Sequence, residues 1–288
     1  MSIFDIFKGS NKKLREEILQ FAKKEITIEA LPENPVRHDG SKIGGKPFLP
    51  GDFQWPLFNW EGEERPLSFF CQLNLAEFAP FDQEHQLPDH GLLSFFYECE
   101  SFRWGFDPAD QGAAKVYYFE DTAGFVPFEI PGSIEKGYIM PELGISFSAK
   151  TAYPMYEEFI VHSPTECEWE DYDAILEKLG VDLEADFETH KALGYANLIQ
   201  GEMLTECEQI ARNVYCGGPE GYESLSEEER ADIQEKAKEW TLLLQLGTIS
   251  TEDFEWMFGD CGILCFYIRK QDLANRDFDK SWFVLQCG

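Results

Sequence analysis

Positive charge is the scarcest resource in this sequence. Its 288 residues hold 24 Lys and Arg against 54 Asp and Glu, a formal net charge of −30. Nucleic-acid phosphates and anionic membrane surfaces would be repelled by most faces of such a chain, so neither is expected as a partner. Histidine is also rare. The five, at positions 38, 85, 90, 162 and 190, form no His-Glu-x-x-His pair. The eight cysteines include no Cys-x-x-Cys, so zinc-ribbon and thioredoxin-type chemistry lack their signature. No Gly-x-Ser-x-Gly elbow occurs, and the acidic run 166–173 lacks the central glycine of an EF-hand. No catalytic residue, metal or cofactor is assigned on these grounds. The opening MSIFDIFKGSNKK lacks the uncharged apolar core of a signal peptide, and no apolar run approaches the length of a membrane span. A reducing cytoplasm is the expected location, with Cys71 and Cys265 packed as small hydrophobes inside apolar runs.

What is abundant is core-forming material. Hydrophobic residues make up 43% of the chain and aromatics 15%, which points to a folded globular protein and away from disorder. The central stretch is SKIGGKPFLPGDFQWP, residues 41–56. Its Gly-Gly pair and three prolines suit neither helix nor strand and pin backbone close to something. A phosphate cradle would need consecutive N–H groups opening a helix, whereas Pro47 and Pro50 remove donors. The turn reading of Gly44-Gly45 follows.

Taken in order, Asn11 is placed to cap a helix over residues 12–24, with Leu14, Ile18 and Phe21 on one face. Residues 26–30 alternate like an edge strand. Strands are expected over 67–75, 92–97, 115–120, 126–130, 145–151, 241–246, 263–268 and 282–286, from aromatic and β-branched enrichment. Ser163-Pro164-Thr165-Glu166 has the layout of a helix start running to Leu179, stopped by Gly180. Another helix should begin at Ser226, with Glu229 in the capping-box position.

Two strand pairs repeat. SFFCQL at 68–73 matches TLLLQL at 241–246, and DHGLLSFF at 89–96 matches DCGILCFY at 260–267. Lys42-Ile43-Gly44-Gly45 matches Lys191-Ala192-Leu193-Gly194 more weakly. So long a period implies two pseudo-symmetric halves. The fold class expected is α+β, internally duplicated, with mixed or antiparallel sheets and peripheral helices. Residues 1–36 would be an N-terminal helix and edge strand on a single domain of 37–288. Its half-repeats would be 37–125 and 190–288, joined by 126–189. Gln72 and Gln245, polar within apolar strands, should tie strand to turn through buried amides.

SKIGGKPFLPGDFQWP, PLSFFCQLNLAEF, LPDHGLLSFFY and the closing WTLLLQL with GDCGILCFYIRKQDLANRDFDKSWFVLQC together resemble the YwqG-like family, a bacterial domain of unknown function. The resemblance runs from about Arg37 to the end. It implies an α+β fold with duplicated sheets and no established reaction or cofactor. The resemblance also implies an association with bacterial toxin–immunity systems.

The expected function is non-catalytic binding, as a protein-interaction module, one form of which is an immunity-type neutraliser of a basic effector. The alternatives are a small-molecule sensor beside the Gly-Gly/Trp loop, or an enzyme of unrecognised class. The candidate ligand contacts are Arg37, Ser41, Lys42, Gly44, Gly45, Trp55, Gln72 and Gln245, which bring donors, an aromatic and close backbone into few segments.

Overall fold

The computed structural model describes residues 12–31, 36–163, 165–183 and 189–288. The aromatic and branched runs pair into one ten-stranded sheet. Its strands are β1 (Lys23–Leu31), β2 (Lys42–Ile43), β3 (Ser68–Asn74), β4 (Leu92–Tyr97) and β5 (Ala114–Phe119), then β6 (Leu143–Ala152), β7 (His190–Leu193), β8 (Trp240–Leu246), β9 (Ile263–Arg269) and β10 (Trp282–Gln286). The spatial order is β10-β9-β8-β7-β1-β6-β2-β3-β4-β5, and every neighbouring pair is antiparallel. Of the mixed or antiparallel sheets expected, the structure has the antiparallel kind, one large sheet with three two-stranded ones beside it. β1, however, is not an edge strand. It lies at the centre, paired along its whole length with β6 and again with β7. Its alternation was legible, but its neighbours come from far along the chain.

The sheet curls into a nearly closed barrel. Phe95 on β4, second from one edge, meets Phe266 on β9, second from the other, with ring centroids 5.2 Å apart. Tyr97 and Phe283 meet at 5.6 Å, as do Phe70 and Phe258. These rings are buried and fill the interior. Each arm carries a bulge that tightens its curvature, between Phe69 and Cys71 on β3 and between Leu242 and Leu244 on β8.

The outer faces are covered differently. On the β8–β10 arm, α4 (Leu204–Ala211) and α5 (Glu227–Ala237) pack Leu204, Cys207 and Ala237 against Leu242, Tyr267 and Val284. On the β3–β5 arm the irregular segment after Gly45 does this work, with Phe53 on Tyr117 at 5.1 Å and Trp55 on Phe96 at 5.4 Å. A third cluster joins α1 (12–18), α2 (Tyr156–His162) and α3 (Trp169–Lys178) through Ile18, Phe159, Tyr172 and Leu176.

The helix ends follow local chemistry only in part. Ser226 and Glu229 form the reciprocal capping box on α5. α1 stops at residue 18 and passes through a short 3-10 turn, Leu19–Phe21, because β1 claims Lys23 onward. The Asn11 cap lies outside the described residues. Ser163 ends α2 instead of starting α3, and its hydroxyl binds Glu17. α3 begins at Trp169 with no side-chain cap, and Gly180 at φ +82° follows its end. Among the described residues no helix is long and apolar enough to cross a membrane.

Candidate functional site

The Gly-Gly stretch leaves β2 through two left-handed residues, Gly44 at φ +60° and Gly45 at φ +67°. A Cβ on Gly44 would stand 2.1 Å from the Pro141 carbonyl, and one on Gly45 would stand 2.3 Å from the Glu142 carboxylate. Only glycine fits both the conformation and the space. The backbone is pinned to protein here: Gly44 N–H donates to the Phe70 carbonyl and Gly45 N–H to that of Met140.

Lys42 is fully buried beneath this turn. Its Nζ donates to the Lys46 carbonyl at 2.6 Å and to Glu142 Oε2 at 2.8 Å. Gln72, opposite Lys42 in register, accepts from Phe48 N–H and donates to the carbonyls of His38 and Gly40. The other arm holds a parallel set. Lys191 donates to Glu25 Oε2 at 2.9 Å and to Asn197 Oδ1 at 2.5 Å, beside Leu193 and Gly194 at φ +61° and +71°. Gln245, opposite Lys191, accepts from Asn197 N–H and donates to the Thr189 carbonyl. Burial lowers the Lys191 pKa against the opposing pull of Glu25.

The sequence-derived candidates therefore separate. Lys42, Gly44, Gly45, Gln72 and Gln245 hold backbone to backbone, with their polar atoms directed at protein partners. Trp55 donates its Nε1–H to the Leu67 carbonyl at 2.8 Å and stacks on Phe128. Arg37 and Ser41 alone line an open cleft of about 350 Å³, with Glu77, Phe81 and the β6 residues Gly144–Phe147. Arg37 is engaged there by Asp39 at 2.7 Å and Glu77 at 3.7 Å. Its hydrogen bond holds the Asp39 carboxyl below the usual range. A second cleft of about 370 Å³ lies across the central strand pair, between β1 residues Thr27–Ala30, His190 and Thr248–Ser250.

Several functional-looking groups have no local signature in the sequence. The partners of Lys42 and Lys191, Glu142 and Glu25, sit far away in the chain. Gln286 is the exception, since a glutamine in an apolar strand is itself a clue; it accepts from Ile199 and Gln200 N–H and donates to the Gly201 carbonyl. Buried Glu208 gathers Arg212, Arg269 and the Trp240 indole N–H. Burial pushes the Cys216 thiol up to about 12 and raises Cys71, Cys99, Cys207 and Cys265 as well, so these stay protonated at neutral pH. Among the described residues no group of three or more His, Cys, Asp or Glu is placed to hold a metal ion.

No curated protein matches this chain. The family model for a domain of unknown function (DUF1963) matches residues 41–287, from the Gly-Gly stretch through β10, and the chain belongs to that family.

Proposed function

We propose that this protein is a non-catalytic interaction module that captures a basic protein partner, in the manner of an immunity protein neutralising a cationic effector. The observation that carries the reading is the crowded acidic face of α2 and α3. Glu157, Glu168, Glu170 and Glu177 are exposed there, and Trp169 stands 56% exposed among them. Burial, and then repulsion from Glu157, Glu177 and Glu170, raises the Asp173 carboxyl above its ordinary value. A cationic partner would relieve that crowding while covering the indole.

Within this proposal the family membership narrows to the YwqG-like group, and the chain is internally duplicated. The matched Lys–Glu pairs, the matched amides of Gln72 and Gln245, and the bulges on β3 and β8 support the duplication. The cytoplasmic assignment rests on the free cysteines. Thiol titration of denatured, unreduced protein is expected to count all eight. Blocked thiols would move the protein to an oxidising compartment.

The test of function is co-purification from the native host at low salt, followed by a high-salt wash. A basic protein should elute, because raising the salt to about 1 M shortens the Debye length from about 8 Å to about 3 Å and screens the attraction. Trp169→Ala with Glu170→Gln and Glu177→Gln should fail to retain it. If nothing is retained, the reading falls. A small-molecule sensor is then the second reading, favoured by the Arg37–Ser41 cleft. A metabolite would raise the melting temperature, and Arg37→Ala would abolish that rise.

A further inference from the structure

We propose that a third cleft, where the two edges of the curled sheet approach, binds a free amino acid with a large apolar side chain. The cleft holds about 390 Å³, within the roughly 300–1,000 Å³ of small-molecule pockets. One wall is edge strand β5 and the opposite wall is the turn Phe278–Lys280 leading into β10. The floor is apolar, from Cys207, Ile210, Trp240, Trp282 and Phe283. The Trp282 Nε1–H is already given to the Gly105 carbonyl at 2.9 Å, so that indole offers its ring and not a donor.

Opposite charges stand on these walls without partners. The Lys115 ammonium on β5 and the Asp279 carboxylate on the turn both line the cleft, and neither side chain makes a hydrogen bond or ion pair with the described residues. Nearby charges are already engaged. Lys280 is held by Asp272 and Asp277 at 2.8 Å each. Arg269 also lines the cleft; it is anchored by Glu208 at 2.7 Å and lies over the Trp240 ring at 4.9 Å, and a guanidinium has five N–H donors in all. An unpaired cation and an unpaired carboxylate lining one cleft over an apolar floor suit a zwitterion. The α-carboxylate would go to Lys115 and Arg269, the α-ammonium to Asp279, and the side chain against Trp282. A simple anion would leave Asp279 unanswered, and a simple amine would leave Lys115 so.

Calorimetric titration with L-phenylalanine, phenethylamine and 3-phenylpropionate tests this directly. L-Phenylalanine should bind, and each truncated analogue should bind about tenfold more weakly or worse, since each loses at least one charge-assisted hydrogen bond. Lys115→Ala should weaken L-phenylalanine and 3-phenylpropionate but leave phenethylamine unchanged. Asp279→Ala should weaken L-phenylalanine and phenethylamine but leave 3-phenylpropionate unchanged. Both positions are solvent-accessible, so an unchanged melting temperature confirms that each variant folds. Equal affinity for all three compounds, variants that do not separate them, or no binding of L-phenylalanine at millimolar concentration would each overturn the proposal. These outcomes do not depend on whether a basic protein is captured by α3.

Discussion

Replacing Phe95 or Phe266 by alanine is expected to cost about 3–5 kcal/mol of stability each, as for other fully buried phenylalanines. Both rings are essentially inaccessible to solvent. They sit on β4 and β9, strands separated by six others in the sheet order, yet their centroids are 5.2 Å apart at an interplanar angle of 71°. The edge-to-face contact exists only because the sheet curls. The double variant should therefore lose less than the sum of the singles, with a coupling of about 0.5–3 kcal/mol. Urea denaturation of the two singles and the double measures it. Additive losses would mean that the two arms do not meet, and that the interior is two separate cores.

The second large effect concerns pH. Glu206 and Glu158 each carry a carboxyl oxygen with no hydrogen-bond partner. Burial, reinforced by Glu202, pushes Glu206 from its ordinary 4.5 up to about 8. Burial pushes Glu158 up to about 7 despite the pull of Lys23. A carboxyl that holds its proton more tightly when folded favours the folded state at acid pH. The benefit is complete below about 4.5, declines as pH rises, and is gone above the folded value. Glu206→Gln removes the cost of ionising this site. It should leave stability near pH 4.5 almost unchanged and raise it at pH 9 by on the order of 1–3 kcal/mol. In a domain this large that is a few degrees or more of melting temperature, at about 2–4 °C per kcal/mol. Melting curves of variant and wild type at both pH values check it. Equal stabilisation at the two pH values would sink the linkage and leave only a packing effect.

The strands were legible wherever the sequence concentrates aromatics and branched residues. The tying role of Gln72 and Gln245 was legible from a single polar residue in each apolar run. The capping box of α5 was written in Ser226 and Glu229. Other elements were not. α4 starts at Leu204 after Met203, which offers no side-chain cap, and its Thr, Glu and Cys dilute any apolar stripe. Ser163 has the composition of a helix start but sits at a helix end, because Glu17 of α1 captures its hydroxyl. The candidate site suffered from the same limit. Arg37, Lys42 and Trp55 are near one another in sequence, but chain proximity in a turn does not set direction. Lys42 points inward to Glu142, Trp55 lies on the β4 rings, and Arg37 alone faces the cleft. The walls of the edge cleft come from segments at 115 and 279 that only the curled sheet brings together.

The central place of β1 has a consequence for how the molecule is made. β1 leaves the ribosome more than a hundred residues ahead of its partners, Leu143–Ala152 and His190–Leu193. At roughly 5–20 residues per second, about ten seconds of synthesis pass before the first partner is available. Through that interval the alternating Ile26, Ile28 and Ala30 remain without their sheet, and β2 to β5 can assemble only as an arm lacking its neighbour in β6. Such long-range pairings make closure slow, as expected of high contact order. Sheet closure on the nascent chain thus waits for residues 143–193, and the apolar side of β1 has no native cover until they arrive.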